Sequence, residues 1–259
     1  MVIGDPIRHS LSPTLHNAAF SAAGLDWVYV ACPVPLGGAA QAVHAMRTLG
    51  IGGMSVTMPH KQGVAAAVDV LAPEAAALGA VNCVRRDGDR LIGENTDGPG
   101  LVRSIRDDLG FDPAGRVCLV IGAGGAARAA IKSLADAGAV VQVANRTTAT
   151  AYEAAALAGP SGSVVAVDAA VDAELVVQAT SLGMTSDDAL PVDPARIGAG
   201  QILVDLIYHP VETPLLRVAA ANGATVANGL GMLLHQACLQ FTHWTGVAAP
   251  IDAMRAAYV

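Results

Sequence analysis

Aromatic side chains are scarce in this chain, at 3% of 259 residues, and charged side chains reach only 14%. Lysine occurs just twice, as Lys61 and Lys132, and the arginines are scattered. With a net charge of −7 and no basic cluster, the chain lacks the electrostatic footprint of nucleic-acid binding. A small anionic ligand remains possible, since one or two local cations can hold it. Long apolar runs are missing as well. The longest, from Val117, is stopped by Arg128, short of the roughly 18 residues that a membrane span requires. The four cysteines (Cys32, Cys83, Cys118 and Cys238) stand far apart without CxxC spacing, so free thiols in a reducing compartment are expected. The seven histidines show no HExxH or related spacing, and no metal is expected. Met1 is followed by neither a basic n-region nor a long apolar segment. No signal peptide is expected, and the cytoplasm is the expected location.

What the chain has in abundance is small and apolar: 53% of its residues are hydrophobic, which excludes an unstructured polymer. Its length suits one large domain or two small ones. Short β-rich runs (26–34, 51–56, 80–86, 115–121, 139–144, 163–167, 174–179, 201–206) alternate with Ala-rich helical stretches (12–23, 37–49, 60–70, 98–109, 125–137, 148–158, 213–222, 229–243, 250–257). Such alternation predicts an α/β protein built of βαβ units with mostly parallel sheet. Ser12-Pro13 reads as an N-cap followed by a proline at the first helical position. Gly24, Gly110, Gly138 and Gly223 each follow a helical run that a residue with positive φ can end. The character of the chain changes near residue 97, where scattered polar residues give way to a strand, a glycine cluster and a helix.

That cluster is Gly122, Ala123, Gly124, Gly125 and Ala126, set between the strand ending at Ile121 and an Ala-rich helix. Gly122 permits a tight turn, Gly124 lets backbone approach a pyrophosphate, and the small residues after it let helix and strand pack closely. The helix N-terminus then offers free N–H groups and the positive end of its dipole. A dinucleotide is the expected ligand, with a plain glycine turn as the alternative. The next strand ends in Asn145-Arg146-Thr147. Asn145, 23 positions beyond Gly122, stands where an NAD enzyme usually carries an acidic residue for the ribose hydroxyl. Arg146 can instead pair with a 2′-phosphate through its planar fork, so NADP(H) is expected. The bland reading of Arg146 is a solvated loop arginine.

Four polar segments mark the first half. Ser10 and Ser12 sit at a loop-to-helix junction, where both hydroxyls can face one ligand or Ser12 can simply cap the helix. Thr57 and Lys61 flank a proline that ends a strand. A cation in the first helical turn opposes the dipole, which eases loss of its proton and suits Lys61 to proton transfer. Asn82 and Asp97 lie at strand edges, where both residue types are also ordinary turn formers. Together, a lysine and an aspartate could move a proton to or from an alcohol oxygen while a nicotinamide carries the hydride.

The segments GDPIRHSLSP (4–13), SVTMPHK (55–61), GAVN (79–82), NTDG (95–98), GAGGAA (122–127), NRT (145–147), ATSLGM (179–184) and NGLGMLLHQA (228–237) occur in one order along nearly the whole chain. In this the sequence resembles the shikimate dehydrogenases, NADP-dependent enzymes that reduce 3-dehydroshikimate to shikimate on the route to chorismate and the aromatic amino acids. The resemblance implies a substrate-binding and catalytic domain over 1–97, a Rossmann-type NADP-binding domain over 98–228, and C-terminal helices over 229–259 that return to the first domain. It makes Lys61 and Asp97 the catalytic pair. Ser10 and Ser12 would hold the substrate carboxylate, and Thr57, Asn82 and Gln236 the ring hydroxyls, with Tyr208 reaching in from the second domain. Gly122 to Ala126 would take the pyrophosphate, and Asn145, Arg146 and Thr147 the 2′-phosphate. Thr180, Ser181, Leu206, Gly229 and Met232 would line the nicotinamide side. Small-molecule partners only, and a monomer or homodimer, are expected. Two positions depart from the family pattern: Thr150 replaces a second basic residue, and Glu94 stands where relatives often carry an aromatic residue or histidine. The alternative within the family is a quinate or quinate/shikimate dehydrogenase using NAD. Outside it stand a ligand-binding regulator that lost its chemistry, and the folate-linked dehydrogenases.

Overall fold

A computed structural model describes residues 1–185 and 189–258. The chain divides into two compact units, Met1–Thr96 with Leu234–Val259, and Asp97–Leu233. The second crossing falls inside a helix rather than at 228/229, the boundary read from sequence.

The first unit carries β1 (Val2–Gly4), β2 (Ala31–Pro33), β3 (Gly53–Val56), β4 (Val70–Leu71), β5 (Cys83–Asp87) and β6 (Arg90–Glu94) in one sheet of order β2-β1-β3-β5-β6-β4. β1 pairs in parallel with β2 and β3, whereas β5 runs antiparallel to both β3 and β6. The helices of the first half are α1 (Ser12–Ala22), α2 (Ala39–Thr48), α3 (Lys61–Ala65) and α4 (Pro73–Leu78). A core of Ile3, Val43, Met46, Met54, Val64, Val84 and Leu91 lies under them.

Several local expectations are corrected here. Ser12 is the first residue of α1 and not its cap: Leu11 holds that place without a side-chain bond, and Pro13 follows within the first turn. The strand expected over 26–34 shrinks to Ala31–Pro33. The reason is Asn17, whose side chain takes both the N–H (2.8 Å) and the C=O (2.9 Å) of Tyr29, so Tyr29 satisfies its backbone against α1 and pairing with β1 begins only at the Val30 carbonyl, which accepts the Val2 N–H (2.9 Å). The helix expected over 60–70 ends at Ala65, and β1, β4, α4 and β6 are not among the strands and helices expected from sequence.

The second unit carries α5 (Asp97–Leu109), β7 (Val117–Ile121), α6 (Gly125–Asp136), β8 (Val140–Ala144), α7 (Thr148–Ala155), β9 (Gly162–Val164), β10 (Leu175–Gln178), β11 (Ile202–Asp205), α8 (Pro214–Ala221) and β12 (Thr225–Asn228). Its sheet runs β12-β11-β10-β7-β8-β9 with every pair parallel. Counted from β7, that is the doubly wound order 3-2-1-4-5-6. Val120, Val141, Val143, Leu175 and Val177 are buried among the small faces of α6 and α7, as strands covered on both sides require. Gly110, Gly138 and Gly223 take positive φ after α5, α6 and α8, and Gly24 does so after α1. The chain closes with α9 (Leu230–Thr245), which runs across the boundary between units, and α10 (Ile251–Ala256), which packs on α1. Among the described residues no helix is long and apolar enough to cross a membrane.

Candidate active site and cofactor site

In the second unit the residues Ala144, Ile121, Gln178, Asp205 and Asn228 form one transverse row, each paired in register with its neighbour. They are the last residues of β8, β7, β10, β11 and β12. The residues expected around a dinucleotide therefore emerge from the same edge of the sheet: Asn145 after β8, Gly122 after β7, Thr180 after β10, Leu206 after β11 and Gly229 after β12. In doubly wound sheets the carboxyl edge is the ligand edge, with the crevice where the strand order reverses, here between β7 and β10.

The glycine turn fits a pyrophosphate. Gly122 has φ +122°, and a Cβ on it would lie 3.0 Å from the Ala179 carbonyl oxygen. Gly124 precedes α6 with extended backbone and offers no side-chain cap, and no acidic residue stands in the first turn. A Cβ at Gly124 or Gly125 would meet only open space. The N–H groups of this helix start thus carry no competing side-chain acceptor.

Beside the turn lies a cavity of about 720 Å³, lined by Gly122, Asn145, Arg146, Thr147, Thr180 and Ser181 among others. Asn145 turns its amide inward on its own loop, donating to the Thr147 carbonyl (3.1 Å) and the Thr150 hydroxyl (2.7 Å). Thr150, in place of a second basic residue, is thereby a brace of the loop. Arg146 is exposed and makes no hydrogen bond or ion pair among the described residues. It is a guanidinium held at the cavity with its full donor set uncommitted, which suits a phosphate.

Two supports were not evident from sequence. Gln178, fully buried, accepts from the Thr180 N–H (2.7 Å) and donates to the Thr180 and Leu182 carbonyls (3.2 and 3.0 Å), shaping the Thr180–Ser181 loop. Asp205, also buried, accepts from the Ile207 N–H (3.1 Å) and the Thr213 hydroxyl (2.8 Å). Burial raises its pKa despite these two donors. Asp205 fixes the turn that carries Leu206 and Tyr208. Tyr208 is half-buried, and burial raises its phenol above the usual range. Gly229 passes so close to this turn that a Cβ would lie 2.1 Å from the Leu206 oxygen. Leu206 and Met232 pack on the same core cluster.

In the first unit, Thr57, Lys61 and Asn82 are brought together at the end of β3. The Thr57 N–H reaches the Ile3 carbonyl (3.0 Å), the Val56 N–H reaches the Asn82 carbonyl (2.8 Å), and the Lys61 carbonyl accepts the Val81 N–H (3.0 Å). Lys61 opens α3, as expected. Asn82 clamps Thr96: its Oδ1 accepts the Thr96 N–H (2.7 Å) and its Nδ2 donates to the Thr96 hydroxyl (3.0 Å). Ser10 Oγ accepts the Ser12 N–H at 3.3 Å, so the serine pair forms one small loop at the start of α1. Gln236 is buried on α9. Asp97 and Tyr208 belong to the second unit.

A buried polar chain supports this ensemble, and the sequence reading missed it. Tyr29 donates to Ser55 (2.5 Å) and Ser55 donates to Gln240 Oε1 (2.5 Å). The Gln240 amide then donates to the Asn82 carbonyl and the Thr96 hydroxyl, both at 3.2 Å. Gln240 lies one turn beyond Gln236, which was the only signal available. His16 stacks on Tyr29 with centroids 4.5 Å apart, and neither ring nitrogen has a hydrogen-bond partner. Burial, with help from the positive chain terminus, lowers its pKa to about 3, against a small opposing effect of the Gln240 amide. Glu94 bonds Arg85 (2.7 Å) and His243 (2.5 Å). Burial works to raise its pKa, but these two partners outweigh it and hold the carboxyl below its usual range.

A parallel sheet in this order, a glycine turn on its first strand and a free arginine past its second define a nicotinamide-dinucleotide oxidoreductase. The first unit matches the shikimate dehydrogenase substrate binding domain over residues 2–84, and residues 229–257 match the shikimate 5′-dehydrogenase C-terminal domain. A shikimate dehydrogenase (NADP(+)) of Geobacter metallireducens is 45% identical over 98% of this chain and 93% of its own. The shikimate 5-dehydrogenase of Thermus thermophilus, solved with NADP(H) and shikimate, superposes with a TM-score of 0.92 at 37% identity, covering 99% of this chain and 96% of that one. A quinate dehydrogenase of Corynebacterium glutamicum, solved with NAD, gives 0.90 at 29%, covering 99% and 96%. The chain belongs to the shikimate dehydrogenase family.

Proposed function

We propose that this chain reduces 3-dehydroshikimate reversibly to shikimate with NADPH, as a cytoplasmic step of aromatic amino acid biosynthesis. The observation that carries the reading is kinship over nearly the full length with enzymes of that activity. The uncommitted Arg146 at the cofactor cavity supports the choice of NADP. Bound NADPH supplies the hydride. Lys61 donates a proton to the carbonyl oxygen in reduction and takes it back in oxidation, with the Asp97 carboxylate as its partner. Ser10 and Ser12 hold the substrate carboxylate, Thr57, Asn82 and Gln236 its ring hydroxyls, and Tyr208 completes the set. The working form is a monomer or homodimer, which sedimentation distinguishes.

Steady-state rates with shikimate and quinate, each with NADP and NAD, test the reading. The highest kcat/KM belongs to shikimate with NADP; faster turnover of quinate with NAD overturns it. Replacing Lys61 by Ala lowers kcat by about 10²–10⁴ fold, the usual worth of a positioned acid–base group, with KM for shikimate little changed. An unaltered kcat in that variant removes Lys61 from proton transfer.

A further inference from the structure

Cys83, Glu94 and His243 play no part in the function proposed above. β5 and β6 run antiparallel, and Cys83 is the register partner of Glu94. His243 reaches the same spot from the last turn of α9. One ligating atom from each, a thiol sulfur, a carboxylate oxygen and an imidazole nitrogen, lie within 4.8 Å of one another. All three belong to the first unit. They lie too far apart in sequence for any spacing motif to reveal them, which is why the histidine and cysteine spacing predicted no metal.

A hydrogen bond joins the carboxylate to the ring, and the buried Cys83 sulfur lies against both. We propose that Cys83, Glu94 and His243 form a binding site for a thiophilic divalent cation of the zinc class. One sulfur, one nitrogen and one oxygen donor are the borderline-soft set that zinc takes, with water in the fourth position. Metal–ligand bonds of 2.0–2.3 Å place tetrahedral donors roughly 3.3–3.7 Å apart, so the widest separation closes by about 1 Å while Glu94 and His243, 2.5 Å apart without the ion, part to admit it. His243, with a side chain 36% exposed, has the freedom to make that movement and leaves a solvent path for the ion. Glu94 is already oriented by an outer partner: Arg85 Nε holds Oε1 and leaves Oε2 toward the cluster, as carboxylate ligands commonly require. Binding displaces the thiol proton into solvent, and a cation there balances the thiolate and the carboxylate. Its effect is to fasten α9 to the β5–β6 hairpin.

The test uses the full chain, treated with chelator and then titrated with zinc chloride by calorimetry and with cobalt(II) chloride by absorption. One zinc per chain, a rise in melting temperature and a thiolate-to-cobalt charge-transfer band are expected. Cys83→Ser removes the band and His243→Ala weakens zinc binding by about tenfold or more. Circular dichroism checks the fold of each. If Cys83→Ser does not fold, the exposed His243→Ala decides alone. No binding at micromolar zinc, or binding and band unchanged in the folded variants, overturns the site and leaves the dehydrogenase reading untouched.

Discussion

Arg146 is the residue at which cofactor choice becomes measurable. Its guanidinium has no protein partner among the described residues, so removing it breaks nothing within the fold. Loss of a charge-assisted hydrogen bond costs about 1.5–3 kcal/mol, a factor of roughly 10–100. Arg146→Ala therefore raises KM for NADPH by about that factor and leaves KM for NADH within about twofold. Equal losses with both cofactors would show that the arginine shapes the loop and does not read the phosphate. This residue was legible in sequence because its position after the second strand is fixed by the motif. Glu94 was not. Its departure from the family pattern makes sense only once Arg85 and His243, from a neighbouring strand and from α9, are seen against it.

At the scale of elements, the second unit was easier to read than the first. Its strands are all parallel, separated by helical segments and covered on both faces, so continuous apolar runs and glycines mark them plainly. Only β12 was missed, a four-residue strand closing the sheet edge. The first unit mixes parallel and antiparallel pairing with strands of two to five residues, too short to show a period. β6 was overlooked although Asp87-Gly88 precedes it, a strong hairpin signal. α9 was foreseen as a helix, but its load was not: Gln240 ties it to β3, to Asn82 and to the residue preceding Asp97. Replacing Gln240 with Leu leaves the Ser55 hydroxyl without its acceptor, while the Asn82 carbonyl keeps the Val56 N–H and the Thr96 hydroxyl keeps the Asn82 amide. A buried group orphaned in this way costs about 1–3 kcal/mol, so Gln240→Leu lowers unfolding stability by about that amount and reduces kcat/KM through Asn82. A urea midpoint unchanged from wild type would show that the chain of hydroxyls rearranges freely around the gap.

Across the whole molecule, acid acts with opposite sign on two buried groups, His16 in the first unit and Asp205 in the second. His16 is neutral in the first unit, and its pKa falls from 6.5 to about 3 because burial excludes the charged form. The unfolded chain then binds the extra proton first, and stability drains away as pH falls from 6.5 toward 3. Glu94, held low by His243 and Arg85, adds a loss of the same sign at the acid end. In the second unit Asp205 is raised by burial. There the folded state takes the proton first, so this group adds stability as pH falls through its raised pKa. The scarcity of aromatics makes the difference observable. Both tryptophans, Trp27 and Trp244, belong to the first unit, and Trp244 lies 4.9 Å from the His16 ring. Tryptophan fluorescence therefore reports the first unit, and far-ultraviolet circular dichroism reports both. On acid titration the fluorescence transition comes at higher pH than the loss of helical signal, and His16→Phe moves it toward lower pH. Coincident transitions, or a fluorescence midpoint indifferent to that substitution, would remove the neutral histidine as the acid-labile point of the fold.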